Sequence, residues 1–253
     1  MFHFIIALFL FFTTPNLISA ENITLPALQP ETPGYLHRLC EYYLSDFGKE
    51  TLQPENEAFI RSIMQELNYT RPLIIRKMNR YAMQAWTRTN AIVLFDRYLF
   101  VGESFFKELS PEEQRFLIGH ELAHGMHYHT TIILLATLAA KLIAAGVGIA
   151  AARKLLALEV NTPLACVLGL IACTAIEYAG ILGTKVLERR NEINADYVSA
   201  TRLNAKAGGI AFLKTAERYN AYDYSKLLNR LFEAHPSPTQ RIALLENITN
   251  QNS

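Results

Sequence analysis

Apolar positions in the first part of the chain change from a helical to a strand-like spacing. Between residues 54 and 67 they fall three or four positions apart, which predicts a helix, and a second helix is predicted at 35–48. Short apolar runs then predict three strands, at 72–78, 91–95 and 98–102. Asp96-Arg97 between the last two runs is expected to form a tight turn, although it lacks the Gly or Asn that such turns favour. The sequence therefore predicts a small antiparallel β-sheet.

A helix start follows the last predicted strand. Ser110 can cap a helix, Pro111 suits its first position, and Glu113 completes a capping box. This pattern predicts a helix that runs to about residue 128. Further helices are predicted at 186–204, 208–219 and 223–233, and a last one begins at Pro238 with Ser237 as its cap.

Two long apolar runs, 130–152 and 163–184, lie between these helices, and each is long enough to span a bilayer. Each run contains one charged residue, Lys141 or Glu177, so each is marginal as an independent span. An antiparallel hairpin folded around residue 157 brings the two charges to a similar depth, where they could pair. We expect the hairpin at 130–184 to insert into or associate with a membrane. The alternative is a hairpin packed on the rest of the domain or buried in an oligomer.

The N-terminus has the pattern of an export signal. A short apolar run is followed by a Pro-containing segment and by Ala20 before Glu21. This predicts a signal peptide at 1–20, or an uncleaved N-terminal anchor, and either one places the next residues outside the cytosol. Residues 21–34 are Pro-rich and are predicted to be a linker, so that 35–253 forms the folded domain.

Composition narrows the class of protein. Of 253 residues, 51% are hydrophobic and 19% are charged, which excludes a disordered chain and allows a substantial core. The formal net charge is +1, so no charge field indicates nucleic acid as a partner. The three cysteines, Cys40, Cys166 and Cys173, imply no disulfide framework.

The strongest chemical signal is the sequence HELAH at 120–124. On the predicted helix His120 and His124 lie one turn apart on one face, where they can share one Zn²⁺. Glu121 flanks that face and can take a proton from a water molecule on the metal. Two histidines leave the site without a third protein ligand. His127 and His129 are in the wrong register for that role, and we interpret them as the polar end of a helix.

Glu192, in the sequence EINAD, is the better candidate for the third ligand. Glu192 and Asp196 share a helix face, so Glu192 could bind the metal while Asp196 hydrogen-bonds a ligating histidine. Glu177 is a competitor, but it lies deep in an apolar run.

A third motif is HPSPTQRI at 235–242. His235 just before a helix could stabilise the oxyanion that forms when a peptide carbonyl is attacked. Arg241 could pair with Asp196 or with another carboxylate and hold the helices in register.

Together, HELAH, EINAD and HPSPTQRI resemble the HtpX-type and CAAX-prenyl-endopeptidase-type zinc metallopeptidases of peptidase family M48, and the small exported members resemble the chain best. The resemblance implies a mainly α (α+β) gluzincin domain with a small sheet and one Zn²⁺ per chain. With the patterns above, the expected fold is such a domain with a small antiparallel sheet and an apolar helical hairpin insert. It implies that the metal ligands are His120, His124 and Glu192, that Glu121 is the general base, and that His235 is an auxiliary catalytic residue. It also implies that an extended polypeptide binds by edge pairing to a strand, at Asn90, Ala91, Ile92 and Val93.

The expected function is that of an exported, membrane-associated zinc metalloendopeptidase. It would hydrolyse extended or misfolded polypeptides in quality control of the cell envelope. Two alternatives stay open: a non-catalytic chaperone or assembly factor on the same fold, and a membrane scaffold in which HELAH is fortuitous. The sequence does not indicate the oligomeric state.

Overall fold

A computed structural model describes residues 48–78, 91–94, 96–102, 105–219, 233 and 235–248. Outside these residues lie the signal peptide or anchor at 1–20, the linker at 21–34, most of the helices predicted at 35–48 and 223–233, and residue Asn90. They stay predictions from the sequence.

The described part of the chain is mainly helical, with one small sheet, as the sequence predicts. In chain order the elements are α1 (Pro54–Glu66), β1 (Ile74–Lys77), β2 (Ala91–Leu94), β3 (Tyr98–Val101), α2 (Phe105–Glu108), α3 (Pro111–Met126), α4 (His129–Ala157), α5 (Thr162–Arg202), α6 (Lys206–Tyr219) and α7 (Pro238–Glu246). Both predicted caps are present. Ser110 with Glu113 and Ser237 with Gln240 form capping boxes at the starts of α3 and α7.

Helix α5 corrects one prediction. The apolar run at 163–184 and the polar helix at 186–204 were expected as separate elements, but they form one helix of 41 residues. Beyond Pro163 at its first turn, α5 contains no proline, and nothing else in the sequence forces the backbone to break. The change from apolar to polar residues alters what surrounds the helix, not its backbone.

The sheet has the strand order β1-β3-β2. Strands β2 and β3 pair antiparallel, as predicted, with Val93 opposite Leu99. The prediction of an antiparallel sheet is wrong for β1, which pairs parallel with β3. All four residues of β3 are buried. This strand lies between β1 and β2, where its backbone N–H and C=O groups form hydrogen bonds on both sides. Strand β2 is left at an edge.

The turn between β2 and β3 is tied to the start of α4. Asp96 adopts φ 54°, a left-handed conformation that Asp tolerates, which explains how the turn forms without Gly. Its Oδ2 accepts hydrogen bonds from the backbone N–H and the hydroxyl of Thr131, at 3.2 and 2.5 Å. The N-cap residue of α4, Tyr128, supplies no side-chain cap. Asp96 therefore satisfies an amide at the start of α4 from outside the helix.

We predict that Asp96→Ala lowers the free energy of unfolding by about 1–2 kcal/mol, because it removes a helix cap and leaves a part-buried hydroxyl without its acceptor. The check is the midpoint of thermal unfolding of the full chain in detergent. Asp96→Asn is the matched control, since it keeps an acceptor oxygen and also tolerates positive φ. Equal midpoints for the wild type and Asp96→Ala would contradict a capping role.

Helix α3 lies at the centre of the hydrophobic core and packs against α1, α5, α6 and β2. Gly119 lets α5 come close: a Cβ there would lie 2.6 Å from the hydroxyl oxygen of Ser199. That hydroxyl donates a 2.7 Å hydrogen bond to the Phe116 carbonyl. This close contact holds the His120 turn of α3 against the Glu192 turn of α5.

Helices α4 and α5 form the predicted hairpin. Gly148 and Gly169 let the two backbones approach, because a Cβ on either residue would lie within 2.9 Å of the other's carbonyl oxygen. The expected pair is present, with Lys141 Nζ 2.5 Å from Glu177 Oε1. The outer faces stay exposed. In the apolar 18-residue segment of each helix, only 11% is buried. By length and composition, both helices could cross a membrane.

Candidate active site

Three side chains that could hold a metal ion converge where α3 crosses α5. They are His120, His124 and Glu192. The Nε2 atoms of the two histidines lie 3.1 Å apart. Glu192 Oε2 lies 3.4 Å from His120 Nε2, and Glu192 Oε1 lies 3.2 Å from His124 Nε2. Tetrahedral ligands about 2.0–2.1 Å from Zn²⁺ lie about 3.3 Å from one another, so this donor set fits a zinc ion.

Asp196 and Arg241 support this cluster from behind. Asp196 Oδ1 lies 2.9 Å from His120 Nδ1, an arrangement in which the imidazole donates and keeps Nε2 directed at the cluster. Arg241 donates to both oxygens of Asp196, Nε at 2.7 Å and Nη2 at 2.6 Å. The three elements α3, α5 and α7 thus meet in one hydrogen-bonded chain.

Burial and neighbouring charges shift the pKa values of these hydrogen-bonded side chains in opposite directions. Burial would lower the pKa of His120, but the Glu192 and Asp196 carboxylates outweigh it and raise that pKa. Burial would raise the pKa of Glu192, and His120 holds it well below its usual value instead. The same holds for Asp196, where Arg241 contributes most to lowering the pKa. Both carboxylates are therefore ionised at neutral pH.

Glu121 is buried beside the cluster and touches the sheet. The backbone N–H of Val93 on β2 donates a 2.9 Å hydrogen bond to Glu121 Oε2. Burial raises the pKa of Glu121, while the neighbouring histidines lower it in part. A carboxyl group whose proton affinity is raised in this way suits a group that takes up a proton and gives it back.

His235 lies at the open side of the cluster. Its Nδ1 is 3.0 Å from Glu192 Oε2, and its side chain is 52% exposed. The hydrogen bond to Glu192 raises the pKa of His235. Glu177, the rival candidate for the third ligand, is not part of the cluster: it lies on α5 about 22 Å before Glu192 and pairs with Lys141.

His129 is a residue of the site that the sequence analysis missed. It is buried, and its Nδ1 lies 2.9 Å from His124 Nδ1. We interpreted it as the polar end of a helix, because a continuous helix would turn it away from His124. Instead α3 ends at Met126 and Tyr128 takes a left-handed conformation, φ 55°, so that α4 starts in a new direction. The Tyr128 conformation is not readable from sequence, and a histidine five positions after His124 was the only signal.

The proposed substrate strand is placed next to Glu121. Ala91, Ile92 and Val93 form most of β2, at the edge of the sheet, while Asn90 lies outside the described residues. Val93 stays paired opposite Leu99 of β3, but its N–H points to the free edge of β2, at Glu121.

The family comparison agrees with this arrangement. A family model described as Peptidase family M48 matches residues 50–249, which include the whole cluster. The chain belongs to peptidase family M48. M48 peptidases are metal-dependent, and His120, His124 and Glu192 could bind a metal ion. Comparisons with curated proteins and with solved structures gave no match.

Proposed function

We propose that this M48 member is an exported, membrane-associated zinc metalloendopeptidase that hydrolyses extended or misfolded polypeptides in the cell envelope. The observation that carries the proposal is the convergence of His120, His124 and Glu192 with donor atoms 3.1–3.4 Å apart. These residues would hold one Zn²⁺. When bound, the ion supplies Lewis acidity, which makes a water molecule acidic enough to lose a proton near neutral pH.

Glu121 would act as the general base and then as the general acid. Its carboxylate takes a proton from the attacking water and later gives a proton to the leaving amine nitrogen. The hydrogen bond from Val93 fixes one of its oxygens, so the carboxylate is oriented before substrate arrives.

Strand β2 would bind the substrate. Its outer edge, at Ala91, Ile92 and Val93 with Asn90 before them, would pair with an extended peptide as an added strand, through backbone groups other than the Val93 N–H that Glu121 already accepts. Since Val93 contacts Glu121, a peptide paired there has its backbone next to the general base. Pairing through backbone groups suits unfolded chains of varied sequence.

His235, Asp196 and Arg241 would complete the site. His235 is half exposed on the open side, where it can donate to the oxyanion of the attacked carbonyl. Asp196 fixes the tautomer of His120, and Arg241 balances the charge of Asp196.

We propose a matching role for His129 on the other metal ligand. When His124 keeps its Nε2 lone pair for zinc, its Nδ1 carries the hydrogen and donates to His129 Nδ1. That bond requires a neutral His129, and burial beside His124 and His127 lowers the pKa of His129 to about 3.

His129→Ala should weaken zinc binding by about 10–100-fold, the usual cost of removing a hydrogen-bond partner of a metal ligand. The measurement is a competition titration against a fluorescent zinc chelator. His129→Asn should recover much of the affinity, because its amide oxygen can accept from His124. His127→Ala removes a ring that stacks on His129 but makes no bond to His124, so it should bind zinc more tightly than His129→Ala does. Unchanged affinity in His129→Ala would contradict the role.

The hairpin of α4 and α5 would anchor the enzyme in a membrane. Its exposed outer faces and internal Lys141–Glu177 pair suit lipid, where an unpaired charge is costly. Arg153 and Lys154 near the hairpin tip are consistent with a cytoplasmic loop if the active site is outside. Glu192 lies eight residues, or about 12 Å, beyond the apolar stretch on α5, so the site would lie outside the bilayer but close to it.

The test uses the full chain, purified in detergent and loaded with Zn²⁺, with reduced, unfolded casein as substrate. We expect cleavage at internal peptide bonds, mapped by mass spectrometry of the products. A zinc chelator should stop cleavage, and added Zn²⁺ should restore it. A zinc-loaded protein that cleaves nothing, but keeps the unfolded casein from aggregating, would favour the chaperone alternative.

A further inference from the structure

A groove of about 610 Å³ lies between α5 and α7, on a face of α5 next to the one that carries Glu192. Its α5 wall includes Val186, Arg190 and Ile193, and its α7 wall includes Ala243 and Leu244, with Pro236 at one end. Val186, Ile193 and Leu244 are exposed apolar side chains. The groove is therefore mostly apolar and open to the surroundings.

The groove begins where the apolar stretch of α5 ends. Val186 is two residues beyond position 184, which is about 3 Å along the helix. If the hairpin spans a bilayer, as proposed above, Val186 and Arg190 lie about 3 and 9 Å beyond its apolar stretch, near the lipid headgroups, and Ile193 lies about 13 Å beyond it. This part of the inference rests on the proposed membrane insertion.

Charge at the groove is positive. Arg190 is exposed on its wall, and Arg189 beside it donates to the Glu233 carbonyl at 3.2 Å, which holds that guanidinium at the groove. A guanidinium matches a phosphate group with two parallel hydrogen bonds. Basic residues next to a membrane span also attract anionic lipid electrostatically.

We propose that this groove binds one anionic phospholipid of the surrounding membrane. The phosphate lies on Arg190, and one acyl chain runs from it past Val186 towards the bilayer core. The groove combines a cationic wall at headgroup depth with an apolar lining, which is the chemistry of a lipid and not of a free anion.

Occupation of the groove has a consequence for the active site. Pro236 follows His235 directly, and Gln240 on α7 precedes Arg241. A lipid between α5 and α7 would hold His235 against Glu192 and Arg241 against Asp196. Anionic lipid should therefore raise peptidase activity as well as bind.

The experiment is native mass spectrometry of the full chain in detergent, titrated with phosphatidylglycerol or phosphatidylcholine. We expect one phosphatidylglycerol per chain, bound at least tenfold more tightly than phosphatidylcholine. Arg190→Gln should remove this preference. Ala243→Trp should fill the groove and block retention without changing charge, since Ala243 is exposed and its replacement leaves the core intact. Arg153→Gln, near the opposite end of the hairpin, is the matched control and should retain the lipid as the wild type does.

Four outcomes would overturn the proposal, the last of them together with the membrane anchor. Equal retention of the two lipids would do so, as would equal loss in Arg190→Gln and Arg153→Gln, which indicates general surface charge. Displacement by millimolar inorganic phosphate would assign the site to a free anion.

Flotation with neutral phosphatidylcholine vesicles is measured in parallel. A chain that floats but does not discriminate contradicts only the groove, whereas a chain that does not float contradicts the membrane anchor and the groove together.

Discussion

Glu192→Ala should abolish stoichiometric zinc binding, whereas Glu177→Ala should leave one zinc per chain in place. Glu192 lies within 3.4 Å of both histidine Nε2 atoms, and Glu177 is paired with Lys141 far along the same helix. Removing a direct ligand should cost more than the roughly 10–100-fold in affinity expected for loss of a supporting residue. Elemental analysis of the purified chains, corrected for protein concentration, gives the ratio.

Loss of zinc in Glu192→Ala has to be separated from loss of the fold. Glu192 is buried and faces Arg241 and His235 as well as the two ligands, so its removal leaves buried cationic groups less compensated. Glu192→Gln keeps the shape and one acceptor oxygen, and circular dichroism reports whether each variant is folded. Full zinc content in a folded Glu192→Gln and Glu192→Ala would exclude Glu192 as a ligand.

The fold was predictable where local signals are strong. Capping boxes at Ser110 and Ser237 mark the starts of α3 and α7, because each cap satisfies amides that the helix itself leaves open. Strand order was not predictable. It depends on which strand is buried on both sides, and that is decided by packing over the whole domain and not by the four residues of β1.

The site was predictable in the same uneven way. The spacing of His120 and His124 is fixed by helix geometry, so one face of α3 was sufficient to place them together. Their meeting with Glu192 depends on the close contact of α3 and α5 at Gly119, which no periodicity reports. His129 was missed for a backbone reason, since its position depends on the left-handed residue Tyr128.

Glu121→Gln should lower kcat for casein hydrolysis by about 10²–10⁴-fold, the usual contribution of a general acid–base group, while zinc content stays at the wild-type ratio. Glutamine cannot take up the proton of the attacking water. Its amide oxygen can still accept the hydrogen bond from Val93, so the packing of α3 on β2 should persist. The measurements are the rate of casein cleavage and the zinc ratio on the same preparation.

Glu112→Gln is the matched control, an exposed glutamate on the first turn of the same helix, and it should cleave casein at the wild-type rate.

The pair of variants also separates the two functions that fit this fold. An enzyme loses turnover in Glu121→Gln but still binds unfolded casein at the edge of β2, because the strand is untouched. A chaperone loses nothing, since suppression of aggregation needs the edge strand and not a proton acceptor. Casein cleavage that survives in zinc-loaded Glu121→Gln would remove Glu121 from the proposed chemistry, and another group at the cluster would then have to accept the proton.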